Sequence, residues 1–227
     1  MDRESPGDPG EPGGGEPSGL RGPRDEDRLY REAEGALMAG RPAEAVPGYR
    51  ELLRLDPRHI EGRVGLARAL DALDEPERAA DVLSEGIALA PEQTELLVQR
   101  GALLGRMRRF PDGEADLRRV LKLHPAHAPA QFELGLLLWR KGLAFEAAEL
   151  FQRSLALQPD RPAAYFYLGD SLNRTGDFAG AVAALDRALQ MDPSDRRAAH
   201  LMGRVLDRMG RPEEAHAMYR RAQGATE

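Results

Sequence analysis

Four arginines, Arg106, Arg140, Arg174 and Arg208, stand 34 residues apart. A guanidinium pairs bidentately with a carboxylate, so such a series could grip an acidic segment. Cations near helix C-termini are also favoured by the helix dipole, by about 0.3–1 kcal/mol, and the series could instead finish successive helices. Arginine is a weak marker in this chain, which holds 30 of them against two lysines, Lys122 and Lys141. His124 and His127 lie three apart, but across Pro125 and with no carboxylate in the adjoining segment, which is not a metal-binding pattern. Cysteine is absent. That removes disulfides, thiolate metal sites, iron–sulfur clusters and a cysteine nucleophile. The glycines near the N-terminus follow no strand and open no suitable helix, so they do not form a phosphate-binding loop. Asp170, Asn173, Arg204 and Asp207 are a polar set that could converge, though a solvated surface explains them more simply. The chemistry available is recognition: no enzyme, no cofactor and no metal is expected.

The elements that must position these residues follow from a period. Pro57, Pro91, Pro125, Pro159 and Pro193 are each 34 residues apart, and Leu55, Leu89, Leu123, Leu157 and Met191 stand two residues before them. A fixed period of this size signals stacked repeats. Counting Glu26 as position one, units begin at Glu26, Ile60, Thr94, Ala128, Pro162 and Arg196, and the array runs over residues 26–227. Each unit reads as two helices. In the fifth, Tyr165, Leu168, Gly169 and Leu172 share one face at helical spacing, Gly176-Asp177 interrupts, and Ala181, Leu185, Ala188 and Leu189 mark a second helix. Pro193 then ends it. Position eight is small throughout (Ala33, Ala67, Gly101, Gly135, Gly169, Gly203), and so is position twenty (Ala45, Ala79, Gly113, Ala147, Ala181, Ala215). Small pairs let two helices approach closely. Position twenty-four is bulky (Tyr49, Leu83, Leu117, Phe151, Leu185, Tyr219) and should fill the gap between hairpins. No single hairpin can bury this much apolar surface, so the units must stack.

Residues 1–25 differ in kind, with five prolines, seven glycines and no large aliphatic residue between Met1 and Leu20. Such a segment cannot bury enough apolar surface to offset its ordering entropy, and is expected to be a disordered acidic tail. The net charge of −6 argues against a general nucleic-acid or anionic-membrane binder. Apolar runs such as Leu136 to Trp139 are too short to cross a bilayer, and the N-terminus has no apolar signal segment. The expected location is cytoplasmic.

The fifth unit carries Tyr165, Leu168-Gly169, Gly176, Phe178, Ala181, Ala188 and Pro193. With the phased prolines, this pattern resembles the tetratricopeptide repeat (TPR) family over about nine-tenths of the chain. The first unit departs at Glu32 and Ala36. The third has Arg100 and Arg108 where Leu and the turn glycine are usual, and a local bend is expected there. The resemblance implies an all-α fold: a right-handed α-solenoid of helix-turn-helix hairpins whose first helices line a concave groove. Positions two, five, nine and twelve would face it. The fourth to sixth units then gather Phe132, Leu136, Trp139, Phe166, Asp170, Asn173, His200 and Arg204 along the groove, with Arg106, Arg140, Arg174 and Arg208 on one rim.

The function implied is a non-catalytic scaffold whose groove holds a peptide or helix segment of a partner protein. That segment would offer apolar side chains to Phe132, Trp139 and Phe166 and acidic groups to Arg140 and Arg174. The alternative is a regulatory or assembly subunit acting through its tail, convex face or last helix, self-association included. Family members that grip heat-shock chaperone tails use a clamp containing two asparagines. This chain has one, Asn173, so that clamp is not expected. Gln223 and His216 replace apolar residues on the last helix, which is expected to act as its own cap and leave a monomer.

Overall fold

The computed structural model describes residues 23–224, and most of the expected tail lies outside the described residues. Twelve helices and no strand occur among those described: α1 (Pro23–Met38), α2 (Pro42–Leu55), α3 (Ile60–Ala72), α4 (Pro76–Leu89), α5 (Thr94–Arg106), α6 (Phe110–Leu123), α7 (Ala128–Lys141), α8 (Ala144–Leu157), α9 (Pro162–Thr175), α10 (Phe178–Met191), α11 (Arg196–Arg208) and α12 (Pro212–Gln223). The first helix starts at Pro23, three residues before Glu26. Proline suits a first helical turn, and Asp25 and Glu26 complement its dipole.

The starts and stops follow from local chemistry. Proline opens α2, α4, α9 and α12. Asp177 and Asp195 accept backbone N–H groups at the starts of α10 and α11. His59 and His127 do the same through Nδ1, from Gly62 and Ala130, each at 3.1 Å. The histidine pair noted in the sequence is thus half a helix cap. The turn inside each hairpin needs one left-handed residue. Gly40, Gly142, Gly176 and Gly210 supply it, and Asp74 and Arg108 adopt the same conformation, each with φ of 62°.

Consecutive helices pack as hairpins, and each first helix also touches the first helix of the next hairpin. Among the described residues no second helix touches another second helix. The first helices therefore sit closer together, and the array curves with them on its inner wall. The small and large positions do the packing. Ala45, Ala79, Ala147, Ala181 and Ala215 are fully buried, as are Tyr49, Phe151, Leu117 and Leu185. A Cβ on Gly113 would lie 2.8 Å from the Gly101 carbonyl oxygen, so α5 and α6 meet backbone to backbone. The third unit absorbs Arg100 by pairing it with Asp116 on α6 at 2.7 and 2.8 Å, with Ser84 Oγ also in reach at 2.9 Å.

Candidate functional site on the inner wall

An open cleft of about 480 Å³ lies on the inner wall between α7, α9 and α11. Tyr167 is the hub of its floor. Its ring centroid is 5.1 Å from Trp139, 5.2 Å from Phe166, 5.9 Å from Phe151 and 6.3 Å from Phe132. Helical spacing explains the arrangement: Phe166, Asp170 and Arg174 lie four residues apart on α9 and line one face, and Trp139 on α7 closes the side. Trp139 Nε1 donates to Asp170 Oδ2 at 2.6 Å, and the Arg174 guanidinium sits 2.8 Å from the same oxygen and 4.6 Å from the centre of the indole.

The opposite wall is basic. Arg196, Arg197 and Arg204 project from α11 beside His200 and Leu201. Arg197 stacks over the Phe166 ring at 4.6 Å. None of the three makes an ion pair among the described residues, whereas the one carboxylate lining the cleft, Asp170, is already engaged. A second cleft of about 520 Å³ between α11 and α12 shares Arg196 and His200 with the first and continues past His216 and Tyr219. The arrangement can take an apolar or aromatic group together with negative charge. Nothing in it provides a nucleophile held by a base.

The residues expected from the sequence divide. Trp139, Phe166, Asp170, Arg174, His200 and Arg204 are brought together at the cleft. Phe132 and Leu136 are not open to the groove. They are 5% and 8% exposed, because Arg161 covers the Phe132 ring at 3.8 Å and α9 packs against α7. Asn173, 4% exposed, is likewise withdrawn from the surface: its Oδ1 accepts from Arg208 at 2.8 Å.

The arginine series does lie at the C-terminal ends of the first helices, but it is not an open ladder. Each member turns toward position twelve of the preceding unit. Arg106 meets Asp71 at 2.6 Å, Arg174 meets Trp139, and Arg208 meets the backbone and side chain of Asn173. Only Arg140, facing Gly105, finds no side chain there. Three of the four expected rim cations are therefore satisfied within the fold.

Sequence reasoning missed Tyr167, Arg196 and Arg197. Arg197 was legible, since it holds position two of its unit. Tyr167 holds position six, which is not a groove position, and its only signal is the aromatic run Tyr165-Phe166-Tyr167.

Two Tetratricopeptide repeat family models match the chain, one over residues 98–162 and 145–196, the other over 36–99 and 172–226. Among solved structures, pilF of Pseudomonas aeruginosa superposes with a TM-score of 0.77 at 20% identity, over 89% of this chain and 94% of that one. PilW, a widely conserved type IV pilus biogenesis factor, gives 0.79 at 18% identity over 88% and 92%. YrrB, a TPR protein with an unusual peptide-binding site, gives 0.62 at 17% identity over 78% and 92%. Stacked helical hairpins on a shared inner wall, together with the family models that span them, establish that the chain is a right-handed α-solenoid belonging to the tetratricopeptide repeat family.

Proposed function

We propose that the protein is a non-catalytic scaffold that holds a segment of a partner protein at the cleft between α7, α9 and α11. The observation that carries this reading is an aromatic floor of Trp139, Phe166 and Tyr167 set against Arg196, Arg197 and Arg204, which no carboxylate among the described residues answers. The segment that fits offers an aromatic or aliphatic anchor with Asp or Glu nearby. Repeat scaffolds of this family serve protein–protein interaction, and the solved YrrB has a peptide-binding site of its own. The net charge of −6 disfavours nucleic acid as the ligand. No helix among the described residues is long and apolar enough to cross a membrane. The scaffold works as a monomer in this reading, because Gln223, His216 and Arg220 leave the outer face of α12 polar and exposed.

The test is selection of a random 12-residue peptide library on the full chain. Enrichment of acidic peptides with an apolar anchor is expected, with affinity that falls as salt rises. Phe166→Ala should weaken those peptides about thirtyfold, since truncating a buried aromatic anchor costs on the order of 2 kcal/mol. Peptides indifferent to Phe166 would move the site elsewhere. Light scattering at high protein concentration checks the monomer.

A further inference from the structure

The 34-residue arginine series and the residues it touches differ at one place. Position thirteen of a unit reaches back 35 residues to position twelve of the unit before. The rungs so formed are Arg106 with Asp71, Arg174 with Trp139, and Arg208 with Asn173, all closed by a side chain. At the fourth rung position twelve is Gly105. An ideal Cβ on Gly105 would lie 3.7 Å from Arg140 Nη1, so the guanidinium occupies the same place as its counterparts but has no side chain to bond. Arg140 makes no hydrogen bond or ion pair among the described residues. Glu133, two turns back on α7, lies near enough to feel its charge but not to pair with it. The helix beneath is bare as well, because position nine of the same unit is Ala102.

A guanidinium lined up with three satisfied ones, half-exposed on the inner wall and left open by the absence of one side chain, is a receptor for a carboxylate that the chain itself does not supply. We propose that Arg140 is the specificity-determining residue of the groove: it reads an aspartate or glutamate of the partner segment, and Gly105 keeps it available. The proposal rests on the peptide-binding reading given above. It also adds a distance. Arg140 faces α5 while its neighbour Trp139 faces α9, so carboxylate and apolar anchor are held about one inter-helix spacing apart. That is roughly 10 Å, or about three residues of extended chain. The partner segment should therefore carry its acidic residue about three positions from its aromatic or aliphatic anchor. The three closed rungs explain why the other rim arginines do not compete: a partner carboxylate would first have to displace Asp71, the indole or Asn173.

The experiment uses the peptides enriched from the same 12-residue library, measured by titration on the full chain and its variants. Gly105→Asp is the decisive variant. It leaves Arg140 in place and installs the partner that Asp71 gives Arg106, and a Cβ at this position meets only ordinary contacts of 3.6–3.7 Å from Leu137 and Arg140. The expected result is a loss of about tenfold with Gly105→Asp and with Arg140→Ala, little change with Gly105→Ala, and a melting temperature for Gly105→Asp at or above the wild type. Replacing the peptide's acidic residue by its amide should cost about tenfold on the wild type and nothing on Arg140→Ala. Peptides that lose binding with Phe166→Ala yet bind Gly105→Asp like the wild type would overturn the open rung and leave the groove reading standing. Absence of enrichment, or peptides indifferent to both Phe166 and Arg140, would overturn both.

Discussion

Trp139 and Asp170 belong to successive units and are joined by a 2.6 Å hydrogen bond from the indole Nε1 to Oδ2. The same oxygen holds Arg174 at 2.8 Å, so two residues of α9 fix the orientation of the only tryptophan in the chain. A hydrogen bond to a charged group contributes about 1.5–3 kcal/mol when well shielded, and less here because the cleft is open. The bond also pins the ring that forms the side of the cleft.

Asp170→Ala should therefore release the indole and free Arg174 together. Because Trp139 is the sole tryptophan, intrinsic fluorescence reports on this cleft alone. A red shift of the emission maximum is expected in the variant, with at most about 1–2 kcal/mol lost in urea unfolding. An unchanged spectrum would mean that Asp170 does not set the ring's position.

The turn residues Asp74 and Arg108 sit at φ of 62°, where the equivalent turns use Gly40, Gly142, Gly176 and Gly210. A side chain in the left-handed region costs on the order of 1 kcal/mol, less for aspartate than for arginine. Arg108→Gly should stabilise the protein by about 1 kcal/mol and Asp74→Gly by less, since the Arg108 guanidinium makes only a distant 6.0 Å contact with the Phe110 ring. Thermal melts of the two variants decide this, and a fall in either would show that the turn is not strained.

These cases mark how much the sequence discloses. The proline period and the small and bulky positions disclose the stacked helical hairpins, because backbone chemistry and close packing act within one unit. It was the resemblance to the repeat family that put Trp139, Phe166 and Arg204 on the inner wall, where they line the cleft. Asn173 was not readable as buried, because what covers it, Arg208, comes from the next unit. Helical periodicity sets which way a residue points from its own helix. It says nothing of a long side chain arriving from a neighbour.

Arg100 and Asp116 form a substitute for apolar packing. Their counterparts in the next unit are Leu134 and Leu150, whereas here a bidentate pair at 2.7 and 2.8 Å spans α5 and α6 with Asp116 only 9% exposed. The hydrogen bonds to Asp116 hold the Arg100 guanidinium above its ordinary pKa against the opposing effect of burial. Arg100→Leu alone leaves a shielded carboxylate unpaired and should cost about 3–5 kcal/mol. Arg100→Leu with Asp116→Leu restores the apolar pattern and should return stability to within about 1 kcal/mol of the wild type or above it. Urea unfolding of the two single variants and the double variant tests the pair. A double variant as unstable as the sum of its singles would mean that the two side chains do not act together.

Glu133 gives the stability a pH dependence of definite sign. Burial raises its carboxyl pKa, and the opposing pull of Arg161, Arg140 and Arg106 does not cancel that. The folded state therefore binds a proton more tightly than the unfolded chain does. From the ordinary glutamate value of about 4.3 upward to the raised value, stability falls as pH rises, and above that window the cost is constant. Glu133→Gln removes the ionisable group while keeping its size. The variant should be more stable than the wild type at pH 7, and the difference should shrink as pH falls toward 4. Urea unfolding of both proteins across this range is the measurement. A difference that stays constant from pH 7 to pH 4 would show that the charge on Glu133 has no part in it.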